Sequence, residues 1–274
     1  MFEHALDQLE KTFKQLYAAF TIKHFELPKL FVRVRNPEQI KSVIQRISVY
    51  MDIFSGFIFP KYSLINADKY NNEFLKICKL STNKIYMMPI LESEDIVDLA
   101  TRRNVLLSLK NKIDSINEYV LNVRVGGNDF SNAFGVRRHI DETIYDILPI
   151  AQLLCDILTV FSRDYIVSGP VWEYYASEND EWSKGLVREL KYDVLNGFVG
   201  KTVIHPKQIP IVVESLKVDK NDYADAIEIL SWTNEKDLLV GGSVGKERMN
   251  EVNTHLKWAR RIVSLAKIYG IRNN

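Results

Sequence analysis

The chain has 274 residues, room for one large domain or two small ones. Apolar residues make up 46% and charged residues 26%, which supports a sizeable core and excludes a disordered chain. With 36 basic against 35 acidic residues, there is no electrostatic footprint for nucleic acid or for a membrane surface.

The first residues, MFEHALDQLEK, are amphipathic and charged, unlike a secretory leader. Residues 4–25 read as a helix, with Leu6, Leu9, Phe13, Leu16 and Phe20 along one face. Six β-like runs follow: KLFVRVRNP (29–37), SGFIFPKY (55–62), KIYMMPILES (84–93), EYVLNVRVGGNDF (118–130), DYIVSGPVW (164–172) and FVGKTVIHP (198–206). Helical segments separate them. In 93–114, Ile96, Leu99, Leu106, Leu109 and Ile113 recur at roughly helical spacing. The longest apolar stretch, 144–161, is interrupted by Asp146, Pro149 and Asp156 and reads as a buried helix rather than a membrane span. Cys78 and Cys155 lie in apolar, helix-like contexts and read as reduced core residues, consistent with the cytoplasm. A helix around 221–232, a flexible loop from Gly241 to Gly245 and a final helix over 253–270 complete the chain. The domain expectation is a barrel over 1–220 and a helical extension over 221–274, packed on that barrel or on a neighbouring subunit.

Strand-like runs alternating with helices imply an α/β fold with parallel strands and crossover helices. Each run ends in chemistry: Arg33 and Arg35, Lys61, Glu92, Asp129, Gly169-Pro170, then His205, spaced by roughly one βα unit. In a TIM-type (β/α) barrel these ends converge on one mouth. An open doubly wound sheet also binds ligands at strand C-termini, but no G-x-G-x-x-G turn follows the first strand. A closed barrel needs eight strands and six are visible, so either two strands escape this reading or the chain forms a barrel lacking its first part, its first two strands.

The pieces FVRVRNPE, GFIFPK, MPILES, GGNDFSNAFGVRR and GFVGKTVIHPKQI resemble, in order and spacing, the HpcH/HpaI aldolase and citrate lyase beta-subunit superfamily. The likeness is nearest to its carbon–carbon bond lyase branch, the citrate-lyase-like proteins of tellurite-resistance clusters, and covers roughly residues 30–270. The resemblance implies a TIM-type barrel assembled as trimers or multiples. It implies Mg²⁺ held by Glu92 and Asp129, and a substrate-gripping arginine at Arg33, with Arg35 where the family often has asparagine. Two departures stand out. Family members begin with two further strands, the second ending in an acidic D-L-E-D motif, and nothing like it precedes residue 29, which implies an N-terminally incomplete chain. The family's M-I-D-x-P segment can carry an aspartate into a neighbouring subunit's site. The corresponding stretch here, RMNEVNTH, offers Glu251 instead.

The implied activity is Mg²⁺-dependent carbon–carbon cleavage or formation through a metal-stabilised enolate, on a 2-oxo or 2-hydroxy acid or an acyl-CoA. Mg²⁺ takes oxygen ligands and usually one or two protein carboxylates, a role open to Glu92 and Asp129 on adjacent strand ends. Gly126 and Gly127 would let the backbone turn tightly so that Asp129 faces the mouth. Arg33 can hold a carboxylate in bidentate fashion, and Lys61 can add a second positive charge. Arg33, Lys61 and Glu251 are the catalytic candidates, and Arg33, Arg35, Gly127, Asn128 and Pro170 the substrate-binding ones. Each has a plainer reading: surface ion pairs for the arginines, a solvated turn for Lys61, a helix-start acid for Glu92 before Ser93, a polar turn for Asn128-Asp129. His205 reads more readily as a structural histidine than as a proton carrier, and Trp172, Tyr174 and Tyr175 as packing. His4, His24, His139 and His255 show no metal-ligand spacing. The rival functions are a catalytically silent barrel kept for binding or assembly, and phosphoenolpyruvate-type transfer, whose phosphohistidine motif is not apparent.

Overall fold

A computed structural model describes residues 2–23, 26–233 and 239–272. The chain divides into two compact units, Met1–Val171 with Leu195–Thr202, and Trp172–Val194 with Val203–Asn274.

The first unit opens with α1 (Phe2–Lys23), whose stripe buries Leu6 and Phe13 and half-buries Leu9, Leu16 and Phe20. The end of the helix expected over 4–25, including His24, lies outside the described residues. Then come β1 (Leu30–Arg33), α2 (Gln39–Ile47), β2 (Phe54–Phe59), α3 (Ala67–Leu80), β3 (Tyr86–Leu91), α4 (Glu94–Val97), α5 (Arg102–Asp114), β4 (Val123–Val125), α6 (Gly127–Ala133), α7 (Leu148–Phe161) and β5 (Val167–Ser168). The sheet runs in sequence order, β1 to β5, every pair parallel. That is the order of a TIM-type barrel, and among the described residues the sheet stays open, with β1 and β5 unpaired to each other.

The period of two along each strand splits the sheet into faces. Phe57, Phe59, Met87, Leu91, Val123, Val125 and Val167 join the helices in one continuous core. Register puts Arg33, Ile58 and Met88 on the opposite, inner face, and likewise Ile90, Arg124 and Ser168. Phe59 anchors the core, stacked on Tyr70 with centroids 4.4 Å apart and edge-on to Phe74 at 5.9 Å. Gly56 has φ +145°, and a Cβ there would stand 1.8 Å from the Tyr86 carbonyl oxygen, so only glycine lets β2 approach β3 here.

Several expected elements differ. The sixth run forms no strand: Val199 N–H donates to the Val167 carbonyl, and pairing shrinks to one parallel bridge, Gly169 with Lys201. Residues 93–114 are two helices, not one, because the Asp98 carboxylate accepts from Ala100 N–H and the Thr101 hydroxyl and turns the chain. Leu99, assigned to the apolar stripe, is therefore 72% exposed. Cys155 is exposed, one position off the buried stripe Leu154, Ile157, Leu158, and Cys78 is half-buried, so neither is a fully buried core residue. Within 144–161 a helix does form over Leu148–Phe161, with Pro149 in its first turn, where no N–H is needed. Among the described residues no helix is long and apolar enough to cross a membrane.

The second unit holds most of α8 (Glu181–Asn196), then α9 (Gln208–Ser215), α10 (Lys220–Trp232), β6 (Val240–Gly242), β7 (Met249–Glu251) and α11 (Val252–Tyr269). Trp172 is fully buried and its indole N–H donates to the Trp182 carbonyl. The stretch expected as a flexible loop is an antiparallel hairpin, β6 with β7. Ser243 organises its turn, its hydroxyl accepting from Glu247 and Arg248 N–H, while Asp225 on α10 accepts from Val244 N–H and from Arg248 Nε.

Candidate active site

Four of the sequence-nominated residues meet at the C-terminal ends of β1 to β4. Glu92 follows β3 directly and is 7% exposed. Its Oε1 accepts from Lys61 N–H at 2.9 Å and lies 3.6 Å from Arg33 Nη2. Lys61 reaches it from the turn after β2 with φ +48°, a left-handed conformation that costs a non-glycine residue of order 1 kcal/mol. The Lys61 ammonium sits 3.2 Å from Asp129 Oδ1. Asp129 lies in the first turn of α6 rather than in a polar loop, where the helix dipole favours its charge.

Burial pushes the Glu92 carboxyl above the usual carboxylate range, against the Lys61 N–H that holds it down. The Asp129 carboxylate raises it further, and Arg33 opposes. Two neighbouring carboxylates, one of them buried, are a like-charge pair that a divalent cation would neutralise. Mg²⁺ binds through one or two carboxylates, with waters and substrate oxygens completing the octahedron. Among the described residues no group of three or more His, Cys, Asp or Glu is placed to hold a metal, and this pair is the donor set such an ion would use. A cavity of about 390 Å³, lined by Lys61, Ser63, Asn66, Glu92, Asp95 and Asp129 among others, leaves room beside it. The residues present fit the ion.

Gly126 and Gly127 are glycine for a reason other than a tight turn. Neither is among the residues with positive φ. A Cβ on Gly126 would fall 2.3 Å from both Glu92 Cβ and Glu92 Oε2, and one on Gly127 would fall 2.6 Å from Ile144 Cδ1 and 2.9 Å from Pro170 Cβ. The first keeps space for the carboxylate, and the second, with Pro170, for close packing beneath α6.

The other nominees have surroundings of their own. Arg35 is exposed, and its backbone N–H donates to Gln39 Oε1 at 2.8 Å. Asn128 is exposed on the same helical turn as Asp129. Glu251 and His205 belong to the second unit. Glu251 immediately precedes α11, where its Oε2 accepts from the Thr254 hydroxyl. His205 stacks on Tyr175 at 4.8 Å, and its Nδ1 accepts from Lys207 N–H. The motif reading does not reach Arg124, the second residue of VRVGGNDF. The alternation Val-Arg-Val was the available signal, because two valines facing the core force the arginine onto the inner face.

A family model described as C-C bond lyase of the TIM-barrel fold matches residues 1–271. The chain belongs to that family. Among solved structures, this lyase-family chain is similar to a citrate lyase from Burkholderia xenovorans LB400, with a TM-score of 0.67 at 10% identity over 97% of this chain and 81% of that one. It is also similar to CitE from Mycobacterium tuberculosis in complex with magnesium, acetoacetate and coenzyme A, with a TM-score of 0.52 at 16% identity over 86% of this chain and 78% of that one. Both likenesses concern the fold. No curated protein sequence matches.

Proposed function

We propose that the protein is a Mg²⁺-dependent carbon–carbon lyase acting on a 2-oxo or 2-hydroxy acid, free or as part of an acyl-CoA. The observation that carries this reading is the convergence of Glu92 and Asp129 from successive βα units, with Arg33 and Lys61 against them. Glu92 and Asp129 would hold the ion, which supplies Lewis-acid polarisation of a substrate carbonyl oxygen when bound. Cleavage beside a carbonyl leaves the bonding electron pair on carbon, delocalised toward that oxygen. The Arg33 guanidinium, 59% exposed and facing Glu92, is free to engage a substrate carboxylate or carbonyl oxygen in bidentate geometry. The Lys61 ammonium, 3.2 Å from Asp129 Oδ1, adds positive charge there. Arg35 and Asn128 would sit at the rim, and Glu251 would act from a neighbouring copy in a homo-oligomer. Magnesium and acetoacetate in the solved CitE complex support the choice of ion and of a small oxo acid.

Calorimetric titration with Mg²⁺ of the wild type and of Asp129→Asn tests the reading. The expected result is a binding heat in the wild type that weakens at least about tenfold in the variant, which keeps shape but loses charge. The absence of any Mg²⁺ heat in the wild type would favour the silent-barrel alternative, in which the fold is kept for binding or assembly.

A further inference from the structure

The inner face of the sheet carries a second charged group that the metal pair does not use. β4 places Val123 and Val125 in the helix-facing core, so Arg124 points the other way. Its Cα is level with Ile90, two residues before Glu92, which sets it about 7 Å down the strands from the metal-binding pair. A guanidinium has five N–H donors. Here Nη2 donates to the Thr202 hydroxyl at 2.8 Å, and no carboxylate oxygen among the described residues lies within ion-pair distance. Its surroundings oppose the charge: partial burial first, then the like charge of Arg33, with Glu92 acting the other way.

An independent observation lies at the same level on the next strand. Ser168 pairs in register with Arg124, is 7% exposed, and its hydroxyl has no hydrogen-bond partner among the described residues. A desolvated arginine with most of its donors unspent and a buried hydroxyl beside it are complementary to an oxyanion. A purely structural arginine would be expected to spend its donors on carboxylates or carbonyls of its own chain, as Arg102 does on Asp156, Ile96 and Val97.

We infer that Arg124 and Ser168 form an anion-binding subsite that takes a second anionic group of the substrate, a carboxylate, while the metal pair and Arg33 hold the oxo- or hydroxy-acid end. The inference rests on the proposed function, in that it locates the reacting end at Glu92 and Asp129. It assigns specificity to Arg124: two-headed acids are selected over one-headed ones. Arg124 and Ser168 act on the remote group.

The test is calorimetry of the full chain, saturated with Mg²⁺, against three 2-hydroxy acids that differ only at the third carbon: lactate, malate and 3-phosphoglycerate. Wild type is expected to bind malate at least about tenfold more tightly than lactate. Arg124→Gln is expected to bring malate to the lactate level while lactate and Mg²⁺ affinities stay within about twofold. Arg124→Lys, which keeps the charge and loses the fork, retains part of the preference. Ser168→Ala removes a single hydroxyl and lowers malate affinity several-fold, with lactate unmoved, so the inference remains testable should Arg124→Gln fold poorly. A wild-type preference for 3-phosphoglycerate over malate that Arg124→Gln removes supports the subsite and makes the second group a phosphate. Equal wild-type binding of all three acids overturns the inference, as does a uniform loss of all three in Arg124→Gln, which marks a structural arginine. Loss of Mg²⁺ binding in the wild type is a failure of the metal reading instead, and the malate-to-lactate ratio measured without Mg²⁺ still reads Arg124.

Discussion

Replacing Gly126 by alanine adds one methyl group at a known place. Its Cβ would stand 2.3 Å from Glu92 Cβ and 2.3 Å from Glu92 Oε2, whereas carbon atoms in good contact lie about 3.5–4.0 Å apart. Gly126 has φ −99°, which alanine adopts freely, so the effect is steric and not a matter of backbone strain. Because the clash includes Cβ, turning the carboxylate alone does not relieve it, and the chain after β3 must shift by about 1 Å or more. Overpacking of this kind costs about 1–3 kcal/mol. A displaced Glu92 also loses the Lys61 N–H, and hydrogen bonds to charged groups contribute about 1.5–3 kcal/mol. The variant is therefore expected to unfold at lower urea concentration and to bind Mg²⁺ at least about tenfold more weakly, a difference of about 1.4 kcal/mol. Gly127→Ala is the control. Its Cβ meets Ile144 and Pro170, so it should lose similar stability while keeping Mg²⁺ affinity close to wild type. Urea denaturation and Mg²⁺ calorimetry on both variants decide the matter. Wild-type Mg²⁺ affinity in Gly126→Ala, or an equal loss in both, would refute the assignment of Gly126 as the residue that makes room for Glu92.

Glu92→Gln should weaken Mg²⁺ binding at least about tenfold, yet leave the metal-free protein as stable as wild type, or more so, at neutral pH, because the amide oxygen still accepts from Lys61 N–H while the repulsion with Asp129 ends. The folded-state pKa of Glu92 is raised, so the metal-free wild type holds its proton longer than the unfolded chain does and loses stability as pH rises from about 4.3 through the raised value. Mg²⁺ affinity climbs over the same window, since the ion requires the ionised form. Pairs of melting curves and titrations across it check both slopes, and parallel slopes in Glu92→Gln would count against this carboxyl as the titrating group. In the second unit, Asp225→Ala should destabilise by about 3 kcal/mol, because the buried carboxylate accepts from Val244 N–H and Arg248 and ties the hairpin to α10. Hydrogen exchange should then rise first in 240–251, and uniform exchange across both units would contradict that local role.

The sequence alone determined the alternation of strand and helix, the parallel order, the family likeness and the two acids, since these follow from local periodicity and from chemistry concentrated at the ends of apolar runs. It placed Leu6, Phe13, Leu106, Leu109 and Ile113 in the core, because their spacing matches a helix turn whatever they pack against. Tertiary structure decided what depends on partners distant along the chain. Leu99 is exposed because the Asp98 turn ends the helical stripe early, and the sixth run, which meets β5 through Val199 N–H and the Val167 carbonyl, pairs at a single parallel bridge, Gly169 with Lys201. The reason for Gly126 is invisible locally, since its φ is ordinary and the atoms that exclude a side chain belong to Glu92, more than thirty residues earlier. Likewise Arg124 is one basic residue between two valines until the register of three strands sets it beside Ile90 and Ser168 on the inner face. Periodicity tells which side of a strand a residue faces, and only the assembled sheet tells what stands there.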